Sequence, residues 1–592
     1  MTERAGKPQR RRWQIAPQSA QAADLARRLR TSPLVAQVLC NRGLVDAQSA
    51  ADFMDPKLAG LYEPQLLPDM EVASRRIAGA IKSGEKIVIY GDYDVDGMTA
   101  LAILKGAIVM LGGKAEHYVP HRLEEGYGVN EQAVRKIVAD GAKLLITVDC
   151  GISAAGPLAQ AVAAGLDVIV TDHHAPPPEL PKVLAVVHPA LPGRPYPNPD
   201  LSGAGVAFKL AWGAAKEVAG APRVDDAMRR FLLEAMCLAA LGAVADVVPL
   251  TGENRILVTY GLKALPATRH AGLRALLESA RLDGERLDAY HVGFVLAPRL
   301  NACGRMGHAE LAVELLTDAS PQRAAEIAGY LEKQNVLRQD VERQIFEQAV
   351  GMVHDGDDPQ HKAIVLSCEQ WHGGVIGIVA ARLVERFHRP VVLIAMNGDG
   401  LGHGSARGIA GFHMRDALAA CSEHLESFGG HAMAGGLKVT PDKIDAFRRA
   451  FLEHADGQLL ADDLTPVRRI DAETTIEALS YAVVERLTRL APFGQGNPPP
   501  VVALRGCRVL SPPRRMGRRG NAVSMLLQQA DARLRAVGFG MGDLADELVG
   551  VNHVDVAAQP TLNKFNGATT VELLLQDVQW GSAVEESRAK TT

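Results

Sequence analysis

Apolar and polar positions along the chain fall into stretches of different texture. From about residue 75 to 265, short apolar runs alternate with Ala- and Leu-rich segments of helical period. Lys86–Gly91 (KIVIYG) reads as a strand, followed by the loop Asp92–Gly97 and a helix over Met98–Leu111. Leu144–Asp149 (LLITVD) and Asp167–Asp172 (DVIVTD) read as two more strands, with a helix over Gly156–Gly165 between them. Apolar strands separated by helices predict a parallel sheet covered on both faces. Gly203–Val218 and Asp226–Val244 read as further helices. Residues 309–353 keep a helical period with many charges, Leu315, Ile327, Leu331, Val341 and Ile345 forming one face; this predicts a linking helix. A second α/β unit opens with the strand Ala363–Leu366 and closes with the helix Lys443–His454. After Pro466, the runs Pro500–Leu504, Ala522–Leu527, Arg533–Phe539 and Thr569–Leu575 are separated by Gly, Pro and Asn, which suits a small β-barrel. The division expected is an N-terminal segment (1–70, partly disordered), a first α/β domain (71–308), the linking helix (309–353), a second α/β domain (354–460) and the barrel (465–580).

Composition narrows the function classes. A chain of 592 residues exceeds one core, since domains hold about 100–200 residues. Sixty-four Lys and Arg stand against 68 Asp and Glu, a net charge of -4, so any surface for a polyanion must be local. The seven cysteines include no CxxC pair, which argues against a zinc finger and a dense disulfide framework and fits a reducing cytoplasm. The basic start, with Arg10, Arg11 and Arg12, is followed by no apolar stretch, so neither a signal peptide nor a membrane span is expected.

Candidate chemistry gathers at the predicted strand ends. The first carries Asp92-Tyr93-Asp94-Val95-Asp96-Gly97, the second Asp149-Cys150-Gly151, the third Asp172-His173-His174. A fourth acid, Asp246, follows the apolar helix Cys237–Ala245. The carboxyl ends of strands in a parallel sheet line one crevice, so these groups are expected to converge. Crowded carboxylates repel unless cations neutralise them. Oxygen ligands with an imidazole suit Mg²⁺ or Mn²⁺, and two such ions about 3.5–4 Å apart clamp a phosphoryl group and activate a water. Taken singly, an acid after a strand is usually a helix cap, and an HH pair is usually surface. Four clusters in order make coincidence a poor explanation. Cys150 reads as a small buried thiol beside the site.

GDYDVDG, VDCG, TDHH and ADVVPL resemble the four motifs of the DHH phosphoesterase superfamily. The resemblance implies that Asp94, Asp96, Asp149, His173 and Asp246 are metal ligands, with Asp149 bridging two Mn²⁺ or Mg²⁺ ions and His174 contacting the scissile phosphate. Asp92 and Asp172 are each either a ligand or a residue that orients one. Pyrophosphatases of this type carry a histidine where this chain has Tyr90, which argues against that branch. Downstream, WHGGVIGIVAAR (371–382), GSAR (404–407) and GGHAMAGG (429–436) resemble the DHHA1 domain of RecJ exonucleases. That implies a hold on the 5′ end of a strand through Ser405, Arg407 and His431; the bland alternative for such glycine-rich stretches is turns. Pro298–Met306 resembles another RecJ motif, in which Arg299, Asn301 and Arg305 either contact DNA phosphates or stabilise a domain interface. Arg505, Arg508, Arg514, Arg515, Arg518 and Arg519 fall within fifteen residues with no acid among them, a candidate phosphate-attracting rim on an OB-like barrel, with Phe539 and Phe565 the nearby aromatics. The segment 491–498 (APFGQGNP) resembles the RecJ lead into this barrel. Val187-His188-Pro189 departs from the pattern, where Asn is expected before the Pro.

The expectation is therefore a metal-dependent 5′-to-3′ exonuclease that degrades single-stranded DNA to 5′-mononucleotides in repair and recombination. The family also implies a single-strand-binding protein and a helicase as partners. Two alternatives stand: a phosphodiesterase for short RNA oligonucleotides or cyclic dinucleotides, whose kind usually lacks the barrel, and a non-catalytic replication scaffold, whose kind has lost ligand acids.

Overall fold

The computed structural model describes residues 11–120, 125, 128–305, 309–356, 361–396, 400–565 and 567–581. The expected architecture is observed: a parallel-sheet α/β unit, a long helix, a second α/β unit and a C-terminal barrel.

The first sheet has five parallel strands in the order Ala115–Tyr118, Ile87–Gly91, Leu144–Val148, Asp167–Thr171, Ala185–Val187. Ile87–Gly91 and Leu144–Val148 are buried at every position, as strands covered on both faces must be. The helix after the first strand spans Val95–Met110, three residues earlier than the apolar run suggests, because Asp94 caps it by accepting from Gly97 N–H. Helices Gly203–Ala219 and Asp226–Ala245 pack against it and form the largest apolar core.

The charged stretch expected as one linking helix is two, Ala309–Leu316 and Pro321–Gly356, broken ahead of the proline that opens the second. The second sheet runs Ser427–Gly430, Ala434–Val439, Gly402–Arg407, Val391–Met396, Ile364–Cys368, parallel only between its last two strands. The barrel holds seven strands, and closure comes from a pairing of Val502–Val509 with Ala522–Gln529 in addition to the sheet order. Its longest strand, His553–Phe565, escapes the sequence pattern. Pro560 and polar residues interrupt the run, and the pairing shifts register between Ala557 and Ala558.

Residues 1–10 of the N-terminal segment, where disorder is expected, lie outside the described residues. Arg12–Ile15 adds a parallel strand to Val467–Ile470, and three helices follow it (Ala22–Leu29, Pro33–Asn41, Ala47–Met54). Residues 491–498 lie wedged between this segment and the first α/β unit. Buried Arg255 donates to the carbonyls of Phe53, Ala491 and Pro492, and Arg42 donates to Asn497 Oδ1 and Pro498 O. Leu250 N–H, four residues beyond Asp246, donates to Gln495 O. The barrel is thereby anchored beside the acid-bearing helix end.

Candidate metal centre and strand-binding surfaces

The acids of the predicted constellation lie at or next to element ends on one side of the first sheet, with Asp94 capping the helix Val95–Met110 and Asp96 in its first turn. Asp92 follows Gly91, Asp149 follows Val148, Asp172 follows Thr171, and Asp246 ends the helix Asp226–Ala245. Asp92, Asp96, Asp149 and Asp172 are buried, while Asp246 keeps a quarter of its side chain exposed. Asp149 adopts a left-handed conformation (φ 60°), a costly choice for a residue with a Cβ that turns its carboxylate inward.

Glycines make room for these carboxylates. A Cβ added at Gly203 would overlap Asp149 Oδ1, and one at Gly242 would overlap Asp96 Oδ1. A Cβ at Gly97 would come within 2.7 Å of the Asp92 carbonyl, so the last residue of GDYDVDG is dictated by sterics. Gly203 and Ala204 N–H donate to Asp96 at 2.7 and 3.0 Å, so the start of the helix Gly203–Ala219 faces this acid.

His173 Nε2 lies 3.1 Å from Asp149 Oδ1, 3.3 Å from Asp246 Oδ2 and 3.8 Å from Asp96 Oδ2. Neither His173 Nε2 nor Asp149 Oδ1 makes a hydrogen bond among the described residues, although both are buried. Burial, reinforced by the charge of His174, lowers the His173 pKa to about 4, so its imidazole is neutral. Burial and the charges of Asp246 and Asp94 push Asp96 well above the usual carboxylate range; burial and the neighbouring acids do the same to Asp149. Burial and Asp94 raise Asp246 to about 7. Orphaned buried ligand atoms, a neutral imidazole and mutually repelling carboxylates are what a cation site requires. The groups able to hold an ion are Asp96–His173–Asp246, Asp92–Asp94–Asp149 and Asp149–His173–His174. The donor set, oxygens with imidazole and no thiolate, fits a hard divalent cation.

Asp172 plays a different part. One oxygen accepts Ile152 N–H at 2.9 Å; the other accepts the N–H groups of His173 and His174 and faces His174 Nδ1 at 2.8 Å. Burial would raise its pKa, but the hydrogen bond and charge of His174 hold it below the usual value. For His174, burial opposes the charge, yet Asp172 outweighs it and raises the pKa to about 9. Asp172 therefore orients a cationic His174. His188, in the segment that departs from the family pattern, packs against this histidine: its Nε2 lies 2.8 Å from His174 O, and its Nδ1 accepts from Ala190 N–H, so Nε2 donates. Its place just past the strand Ala185–Val187, the same position that marked the acids, was the available signal.

Tyr90 points to the other face, stacking on Tyr118 and donating to Gly128 O. Cys150 is buried, its thiol contacts the Tyr90 carbonyl, and burial raises its pKa, which keeps it protonated.

In the second sheet, Ser405 and Arg407 share the strand Gly402–Arg407, and Arg407 Nη1 donates to Ser405 Oγ at 3.2 Å. Gly377 lies over both: an added Cβ would sit 2.9 Å from Ser405 Oγ and 3.1 Å from Arg407 Nη2. His431 N–H donates to Ala434 O, and Ala434 pairs with Arg407, so the three residues gather at one end of the sheet. Arg299 does not reach outward. Its guanidinium pairs with Glu332 of the long helix at 2.6 Å and donates to Val295 O, which favours the interface role. Asn301 is half-buried on the same helix, and the Arg305 side chain lies outside the described residues. On the barrel, the arginine run is less free than it reads. Arg505 pairs with Asp555 and Glu473, and Arg515 pairs with Asp543 and Asp546, acids distant in sequence. Arg508, Arg514, Arg518 and Arg519 are exposed, as is Phe539; the Phe565 side chain lies outside the described residues.

Three family models match the chain: the DHH family N-terminal domain over 86–240, the DHHA1 domain over 360–455 and the RecJ OB domain over 470–577. The chain is 38% identical over 568 residues to the single-stranded-DNA-specific exonuclease RecJ of Bacillus subtilis, covering 96% of this chain and 70% of the relative. It is 34% identical over 577 residues to the enzyme of that name from Escherichia coli, covering 94% and 97%. The fold matches a crystal structure of Thermus thermophilus RecJ in complex with Mn²⁺ with a TM-score of 0.81 at 32% identity, covering 96% of this chain and 80% of that one. A second structure, from the same organism, is in complex with Mg²⁺. Identity at this level over nearly the whole length, with all three family models in order, makes the chain a member of the RecJ family of DHH proteins.

Proposed function

We propose that the chain is a divalent-metal-dependent exonuclease that hydrolyses single-stranded DNA from the 5′ end to 5′-mononucleotides. One observation carries the chemistry: five acids and a neutral histidine converge with unsatisfied buried ligand atoms, in a chain whose relatives are named as single-stranded-DNA-specific exonucleases. Asp94, Asp96, Asp149, His173 and Asp246, joined by Asp92, would hold two Mn²⁺ or Mg²⁺ ions, with Asp149 between them. When bound, such ions polarise a phosphodiester and make a water acidic enough to attack it.

The chain's own groups do the rest. Asp172 and His188 fix the His174 ring and backbone. His174, protonated at neutral pH, offers positive charge to the phosphate oxygens as negative charge builds on them. Ser405, Arg407 and His431 hold the terminal phosphate, so that the first phosphodiester is the one cleaved. Asn301 and Arg305 serve the strand between these sites. Exposed Arg508, Arg514, Arg518 and Arg519 attract the trailing strand. The barrel and the complete acid set are the features that the phosphodiesterase and scaffold alternatives lack. A single-strand-binding protein and a helicase as partners rest on the family resemblance. No helix among the described residues is long and apolar enough to cross a membrane.

The test compares 5′-labelled and 3′-labelled single strands with Mn²⁺. Mononucleotide released first from the 5′ label is expected; first release from the 3′ label would reject the polarity, and no release from either would reject the activity.

A further inference from the structure

Tyr290 and Phe294 are 63% and 71% exposed, yet their rings stack with centroids 4.9 Å apart and planes at 24°. Among the described residues they are the stacked pair in which both aromatic rings are this exposed. Asp288 caps the helix that bears them, and it runs from Ala289 through a widened turn, where Ala297 N–H reaches back to Val292 O, into Ala297–Arg305. Such i→i+5 turns cluster at functional sites. This one is braced from below. Val292 and Leu296 are buried, and Arg299, held by Glu332, donates to the Val295 carbonyl.

The position of the helix supplies the second observation. Gly293, between the two rings in sequence, lies against Val244: an added Cβ would sit 3.6 Å from Val244 Cγ1, two residues before Asp246. At the other end, Gly304 lies against the Tyr93 carbonyl, between Asp92 and Asp94, where an added Cβ would come within 2.9 Å. One helix therefore runs along the acid cluster, with the ring pair at the Asp246 end, about 15 Å of helix from Gly304. An aromatic pair one turn apart also steadies a helix. That purpose does not call for two exposed rings at the rim of a phosphoesterase centre. A nucleobase offers a flat π face of matching size, and base–aromatic stacking is tolerant of sequence, as a non-specific nuclease requires.

We propose that Tyr290 and Phe294 form a stacking platform for a nucleobase within a few nucleotides of the cleaved phosphodiester. The proposal rests on the nuclease reading above. It is tested by measuring affinity for a 5′-phosphorylated deoxyoligonucleotide with the metal chelated, so that no strand is consumed, while a single abasic site is moved inward from the 5′ end. The wild type is expected to lose about tenfold in affinity at one position near the end, the scale of one stacked base. The double variant Tyr290→Leu/Phe294→Leu, which keeps apolar side chains on the helix, should bind the intact strand about tenfold more weakly and lose nothing further at that position. Phe294→Trp should keep both the affinity and the abasic sensitivity. A wild type indifferent to every abasic position, or a double-Leu variant that binds the intact strand like wild type, overturns the platform. Failure of the wild type to degrade single strands with Mn²⁺ would instead reject the nuclease reading, on a readout that this binding assay does not share.

Discussion

Two groups of buried charge lie within the first α/β unit, and they are built on opposite principles. Lys209 and Glu253 are both fully buried and form an ion pair. Glu253 also accepts from Tyr62 N–H and Tyr196 Oη–H, and Lys209 donates to Tyr62 O and lies over the Trp212 ring. One negative charge meets one positive, and both partners have further hydrogen bonds. The acid cluster gathers Asp92, Asp94, Asp96, Asp149 and Asp246 around a neutral His173, with His174 as the adjoining cation. Both are costly to bury, but the first is balanced charge for charge, whereas the second keeps a surplus of acid and open ligand atoms at Asp149 and His173. The comparison teaches that buried charge alone marks nothing; an unbalanced surplus of one sign, with ligand atoms left open, marks a place built for something from outside.

The largest expected effect lies in the cluster. Asp149→Asn should lower single-strand hydrolysis by about 10³-fold or more, the scale of losing a preorganised charged group, while raising the melting temperature of the metal-free protein because repulsion is relieved. Turnover close to wild type in a gel assay would break the comparison on the chemical side. Lys209→Met should do the reverse. It leaves Glu253 buried without its partner and should cost about 3–5 kcal/mol in denaturant unfolding, with Mn²⁺ stoichiometry per folded chain unchanged. A variant as stable as wild type would show that this pair is not compensating.

Next in size is the pH response without metal. The Asp246 pKa is raised from 3.8 to about 7, and Asp96 and Asp149 are raised as well, so the folded state holds protons that the unfolded chain has released. Stability should therefore fall as pH rises from about 4 to about 7, read as melting temperature in chelator. Saturating Mn²⁺ should flatten that slope and raise the melting temperature by several degrees. A metal-free slope of opposite sign would contradict the crowding. The smallest effect is His188→Ala, which frees the His174 backbone without touching an acid; about a tenfold loss of turnover is expected, the scale of removing a residue that orients a ligand, with Mn²⁺ stoichiometry intact.

Much of this was legible in the sequence because strand ends and motif positions coincide. The parallel sheet follows from continuous apolar strands, and Asp92, Asp149 and Asp172 stand one residue past their ends. Harder to read was what each side chain does on arrival. Asp172 and Asp149 look equivalent in sequence, yet one is saturated by N–H groups and His174 and the other keeps an open oxygen. Arg299, Arg505 and Arg515 look free because their partner acids lie from 28 to 50 residues away along the chain. The strand His553–Phe565 was hidden by Pro560 and a bulge, and Tyr290 with Phe294 carries no signal until exposure is known.

The surplus of buried acids is proposed to be a two-cation site. Equilibrium dialysis of the metal-stripped protein against Mn²⁺, beside Asp149→Asn, tests it most directly. Two ions per chain for the wild type, with at least one lost in the variant, is the predicted result. A wild type that binds no Mn²⁺, or a variant that binds as many ions with the same affinity, would contradict it.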